Sequence, residues 1–543
     1  MVFYRFLAFI FIIASSSPAP AQEHRHENYP PTADSIPAEI LKRPVTLRAG
    51  IGAVHEAVTT SSKEAQSFYD QGLAYLHSYV FIEAARSFNQ ALRLDPKIAL
   101  GWVGLSRAFS GLNATGAARA ALDQAQALAG YATGREQQRI AIRAKQLEAI
   151  QDPGNAGKHS EYKKAIDDAL ATYENDAELW LLRGNAEEAN AAGRGQHGGE
   201  ASITFYLRAL AASPDNFAAH HYLIHSYENS GRIEEALKHG EAYARLAPLI
   251  PHAHHMYGHD LRRVGRIDDA IAEFRRADEL ENAYYKSENI PAEYDWHHEH
   301  NLDLLSTSYQ HEGQVRAAEQ LMRQAFAIPS MQDSLEFNKR QWPEFLLARG
   351  RADEALRAAG TLTKSRWDIV RSIGHVMASR ALMAMGKLPA ASEEAKAALN
   401  ELRESGRRAE FVRPYLEALQ GEFFLRAGQP EKGRAVLKEV MGKIRAEPGP
   451  DAWTQSLFKL ELIARTAREA GDWELARYAA QQMMEHDASY AGSHYAMALA
   501  AEHAGDKPAA AEGFAAAEKY WRNADSDLPE LLDARKRLAA LRK

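Results

Sequence analysis

Histidine is the residue type whose number and placement in this sequence point to chemistry. The chain carries 22, and eleven of them fall between residues 220 and 300, where an even spread would place about three. His220, His221 and His225 form the pattern HHxxxH, and His254, His255 and His259 repeat it 34 residues later, member for member. Positions four apart share one face of a helix, so His221 with His225, and His255 with His259, are each a chelating pair. If the offset is one structural repeat, stacking sets the two pairs side by side and converges four imidazoles. Neutral imidazoles suit Cu, Fe, Zn or Ni, whereas Ca and Mg require oxygen ligands. Duplication of one repeat explains the offset without any metal, and a polar surface also uses His for hydrogen bonds. Both readings stay open at this point.

Composition removes several other chemistries. There is no cysteine, which excludes disulfides, thiolate zinc sites, iron–sulfur clusters and cysteine nucleophiles. Against 65 Lys and Arg stand 72 Asp and Glu, a net charge of −7, and no long basic tract exists, so a nucleic-acid partner is not expected. HExxH, GxSxG and Walker A patterns are absent, and Gly50-Ile51-Gly52 lacks the third glycine of a dinucleotide fingerprint. No enzyme class follows from these residues.

The elements that must position the histidines are helices. Phe68, Gly72, Tyr75, Ala84, Phe88, Ala91 and Pro96 show apolar packing at helical spacing, a small-residue crossing, a second helix and a Pro that ends it. Trp102, Leu105, Phe109, Ala118 and Ala125 continue the register. Later copies pair a Gly with an Ala five residues on: Gly231/Ala236, Gly265/Ala270, Gly313/Ala318, Gly350/Ala355, Gly386/Ala391, Gly471/Ala476 and Gly505/Ala510, with Gly428 followed by Gly433. The Gly accommodates a left-handed turn, and the Ala permits close helix approach. This order resembles the tetratricopeptide repeat, 34 residues of paired antiparallel helices, over most of residues 64–543. The fold expected is all-α, a right-handed superhelix of antiparallel helix pairs, an α-solenoid.

In tetratricopeptide solenoids, positions 2, 5, 9 and 12 of the first helix line a concave groove. The resemblance therefore implies that His221 and His255 (position 5) and His225 and His259 (position 9) face that groove. His252 takes position 2, and in the next repeat His300 and Asp303 take positions 2 and 5. His221, His225, His255, His259, His300 and Asp303 are the candidate metal ligands. His220, His254, His252, His297 and His298 take supporting places behind them. At a finer level, Ala65-Gln66-Ser67-Phe68-Tyr69-Asp70-Gln71-Gly72-Leu73 and His221-Tyr222-Leu223-Ile224-His225 resemble segments of an exported bacterial tetratricopeptide family with paired His motifs. Many of its members carry a His before the Glu-Ala of the first repeat. Here Phe81-Ile82 precede Glu83-Ala84, and His77 stands one helical turn earlier.

Three segments break the period: Gly193–Glu200, a Gly-rich loop; Asn282–Glu299, an insertion bearing Tyr284, Tyr285, Tyr294 and Trp296; and residues 22–62, which wrap the solenoid or remain mobile. Residues 1–21 read as a signal peptide, with Arg5, the apolar run Phe6–Ala14 and the small residues Ala19-Pro20-Ala21. The run is too short to span a bilayer, so the mature protein is expected in the periplasm or outside the cell. Cleavage after Ala21 leaves Gln22-Glu23-His24, a weak amino-terminal Cu or Ni site through Gln22 and His24. The expected organisation is N-terminal repeats over 63–176, central His-rich repeats with insertions over 177–327, and degenerate repeats over 328–543. Two functions compete. One is a groove-borne transition-metal site for metal binding or metal-dependent chemistry on a bound ligand. The other is a metal-free scaffold holding a protein or peptide in the groove.

Overall fold

The structure, a computed structural model, describes residues 36–403, 406, 409–446 and 450–542. Residues 1–21, read above as a signal peptide, and Gln22 and His24 lie outside them. Among the described residues there is no strand, and no helix is long and apolar enough to cross a membrane. The 34-residue period becomes tandem antiparallel helix pairs, such as Phe217–Asn229 with Ile233–Leu246 and Pro251–Arg263 with Ile267–Glu288. The fold is an all-α, tetratricopeptide-like solenoid.

The turn chemistry explains the pairing. Gly231 and Gly265 have φ of 73° and 78°, and Gly313, Gly350, Gly386, Gly428, Gly471 and Gly505 repeat the same left-handed geometry. Five residues on, Ala236 and Ala270 are completely buried, where a larger side chain would force the helices apart. The first two repeats depart from the rule. Tyr79 and Asn113 hold the turn position five residues before Ala84 and Ala118, with φ of 59° and 57°. A tyrosine in this region is a strained residue.

The chain divides into two compact units, at the boundary between Pro291 and Ala292. The first holds six helix pairs, from Lys63–His77 to Ile267–Glu288. Residues 36–62 strap these pairs together. Arg43 Nη1 donates to the Glu288 carbonyl (2.8 Å), Leu249 N donates to the Gly50 carbonyl (2.8 Å), and Thr59 donates from N and Oγ1 to Glu136 (2.7 and 2.5 Å). A Cβ on Gly52, at φ 89°, would stand 2.4 Å from the Phe217 ring. Of the alternatives open for this segment, its described part takes the wrapped one.

Asn282–Glu299 adds its residues mainly as helix. The helix Ile267–Glu288 runs on to 22 residues, a short 3-10 turn at Ala292–Tyr294 opens the second unit, and Trp296–His311 follows. Continuous helix satisfies each added backbone group internally, which a loop of equal length would not. The second unit continues the helix pairs to Pro529–Leu541, around buried residues such as Val370, Ile373, Leu419 and Leu460.

Candidate metal centre

The Phe217 and Pro251 helices carry the histidine pattern, and helical geometry does what the four-residue spacing implies. His221 Nε2 lies 3.1 Å from His225 Nε2, and His259 Nε2 lies 3.0 Å from His255 Nε2. The two pairs do not merge into one set of four. They form two neighbouring groups, with His252 between them. The His252 Nε2 atom stands 2.9 Å from His221 Nε2, and its ring stacks against His255 at 5.7 Å between centroids. His252, which the pattern puts in a supporting place, therefore belongs to the first group itself. His221, His225 and His252 each offer one nitrogen within 4.8 Å of the others. The cause is the repeat stacking: position 2 of one helix meets position 5 of the previous one.

His221 has an assigned tautomer. Its Nδ1 lies 2.7 Å from the His77 carbonyl oxygen, which only accepts, so Nδ1 carries the proton and neutral His221 presents one lone pair at Nε2. Both His225 Nε2 and His252 Nε2 stand within hydrogen-bond distance of that lone pair. A single lone pair accepts one good hydrogen bond, but it is the form a cation uses. Nitrogens bound at about 2.0–2.1 Å to one ion lie about 2.9–3.4 Å apart, which matches both separations. A ring N–H fixed by a backbone carbonyl is also how metal-ligating histidines are usually oriented.

The surroundings are dry and shaped. His221 and His255 are completely buried, and His252, His225 and His259 are buried too. The Tyr79 ring covers the first group, at 4.5 Å from the His221 centroid, 5.2 Å from His252 and 6.2 Å from His225. Its strained turn position aims it there, and its hydroxyl donates to the Arg194 carbonyl (2.6 Å). Tyr243 stacks on the other side of His221 at 4.9 Å. His77 anchors this wall. Its Nε2 donates to Glu178 Oε1 (2.7 Å) and its Nδ1 lies 2.8 Å from the Tyr222 hydroxyl. Burial pulls the Glu178 carboxyl up, but His77, Arg139 and Arg107 outweigh it and hold it below the usual carboxylate range.

The second group has a carboxylate neighbour. His259 Nδ1 lies 3.5 Å from Glu228 Oε1. Burial first, and then the Glu228 carboxylate, push the Asp260 carboxyl well up. Two of the residues given supporting places, His220 and His254, turn to other partners. His220 turns to the second helix of its own repeat, Nδ1 to Nδ1 of His239 at 2.8 Å. Burial, and then His220, bring His239 down to about 4. His254 pairs with Glu273 (2.6 Å) in the equivalent place. His300, Asp303, His297 and His298 all lie on the Trp296 helix of the second unit, where Trp296 stacks on His300 at 6.0 Å.

Sequence reasoning missed Tyr79 and the structural part of His77. The signal for Tyr79 was present: it stands five residues before Ala84, where most later copies have Gly. The His77 carbonyl has no signature in side-chain type.

No protein-family model matches the chain, and no curated protein matches it. Among solved structures it is similar to the human IFIT1 dimer with PPP-AAAA, at 12% identity over 82% of this chain and 88% of that one, with a TM-score of 0.33. A monomeric IFIT1 mutant with Gppp-AAAA gives 12% identity over 85% and 91%, with a TM-score of 0.33. The APC/C hetero-tetramer Cut9–Hcn1 gives 11% identity over 89% and 97%, with a TM-score of 0.30.

Proposed function

We propose that this chain is an exported, tetratricopeptide-like solenoid that binds a transition metal through His221, His225 and His252, with His255 and His259 as an adjoining pair. The observation that carries the reading is the His221 tautomer. Its one lone pair faces two further imidazole nitrogens at 2.9 and 3.1 Å, inside a wall of aromatic rings. An all-nitrogen donor set selects Cu, Ni, Zn or Fe over Ca and Mg. Burial favours retention of the ion over rapid exchange. Three imidazoles leave a coordination position for a further ligand, so metal binding is the function proposed and chemistry on a bound ligand is its extension. The signal-like segment supports export, where a cysteine-free metal site is not exposed to disulfide exchange.

The test is equilibrium dialysis of metal-stripped, full-length protein against each of the four metals, read by elemental analysis. About one equivalent bound by the unaltered chain, and lost in a His221→Gln/His225→Gln variant of unchanged helicity, is expected. Background metal in both overturns the reading and leaves the fold with the scaffold role common to helical repeats.

A further inference from the structure

The first unit contains a second polar site that the histidine reading does not use. A cavity of about 200 Å³ opens between the helices Ala99–Gly111, Thr115–Ala127 and Gly134–Gln151 and the Gly-rich loop. Its walls carry four arginines, Arg107, Arg119, Arg143 and Arg194, and no aspartate or glutamate. Such one-signed lining inside a small cavity is unusual, because a buried guanidinium loses hydration there and regains it only from a paired ion.

Arg143 makes the point most sharply. It is buried, and every group it donates to is neutral: Ser106 Oγ (2.9 Å), the Ser106 carbonyl (2.8 Å), Ser110 Oγ (2.5 Å) and Gln146 Oε1 (2.6 Å). Arg119 donates to Gln151 Oε1 (2.9 Å) and Arg194 to the Ser110 carbonyl (3.1 Å). Of the four, only Arg107 has a carboxylate close by among the described residues, Glu178 at 3.7 Å, and that carboxylate also serves His77 and Arg139. Glu188 acts on Arg194 only at longer range. Burial, and next Arg107, bring the Arg143 guanidinium down to about 9. The neutral partners take four of the five Arg143 N–H groups and fix its plane, so Arg143 has one Nη1 N–H for an anion and the other three arginines supply the rest.

We infer that this cavity binds a small oxyanion, a carboxylate or a phosphate, held by Arg143 from within and by Arg107, Arg119 and Arg194 around it. The volume is below that of pockets for drug-sized ligands, roughly 300–1,000 Å³, so the ligand is small. Tyr79 and Tyr222 line the same cavity and also pack on His221, at 4.5 and 5.2 Å. An anion bound there lies one aromatic ring away from the histidine group. The inference does not depend on that group holding a metal.

The test is isothermal titration calorimetry on the full chain, stripped of metal, in about 0.15 M chloride. Inorganic phosphate and malonate are titrated separately. Because Arg143 is enclosed by its partners, its replacement risks misfolding; Arg119→Gln and Arg194→Gln change residues nearer the surface, and melting curves confirm their folding. Binding of either anion by the unaltered chain, weakened about tenfold or more in each variant, is the expected result. Phosphate alone identifies a phosphoryl ligand, malonate alone a carboxylate, and both an unselective oxyanion site. No binding of either anion, or equal binding in the variants, overturns the inference.

Discussion

Tyr79 couples a backbone cost to a side-chain benefit, and the two can be separated by substitution. The residue is buried at φ 59°, where an L side chain costs about 1–2 kcal/mol. Its ring covers three imidazoles, and removal of a buried aromatic side chain costs about 3–5 kcal/mol. Tyr79→Ala loses the ring and keeps the backbone cost. Tyr79→Gly loses the ring and sheds that cost, against about 0.4–1 kcal/mol of extra unfolded-chain entropy. Glycine is therefore expected to be the more stable replacement by about 1 kcal/mol, the reverse of the usual order. In a unit of this size that is about 2–4 °C in melting temperature. Tyr79→Phe keeps the ring and loses only the hydrogen bond to the Arg194 carbonyl, a loss of about 1 kcal/mol. Melting followed by circular dichroism on the three full-length variants reads the order Phe, then Gly, then Ala. Ala melting level with Gly or above it refutes the reasoning, because the turn would then carry no strain that the ring offsets.

Two further predictions concern protons. The Glu178 carboxyl is held below its ordinary value of 4.5, so the folded chain binds fewer protons there than the unfolded chain. Its stabilising contribution is complete above pH about 4.5 and disappears as the pH falls below it. Glu178→Gln is expected to flatten the acid limb of a stability profile, and an unchanged limb would contradict the assignment. His239, brought down to about 4, contributes stability that is full above its unfolded value of 6.5 and is lost as the pH falls from there toward 4. A nitrogen-detected imidazole titration should find His239 neutral at pH 6, and half-protonation near 6.5 would contradict the prediction.

Much of the fold was readable because it rests on short-range rules. Gly at the turn and Ala five residues on dictate a left-handed corner and a close crossing, and the structure shows both at Gly231/Ala236 and Gly265/Ala270. His221 with His225, and His255 with His259, were readable for the same reason, since an i, i+4 pair needs only a helix. The contacts between repeats were less accessible. His252 meets His221 rather than standing behind it, because helix crossing sets which positions of adjacent repeats touch. The stretch after Asn282 breaks the period, but the break does not say what form the added residues take; nothing stops a helix before Asn289, which takes the left-handed cap at φ 50°. The arginine cavity left no pattern at all. Its four residues come from three helices and a loop, and only the fold brings them together.

The central claim is that imidazole nitrogens of His221, His225 and His252 bind one metal ion. X-ray absorption on the metal-loaded, full-length protein tests it most directly. The account predicts at least three imidazole nitrogens at about 2.0–2.1 Å, with one fewer in His252→Gln. A first shell of oxygen alone, or an identical nitrogen count in that variant, would contradict it.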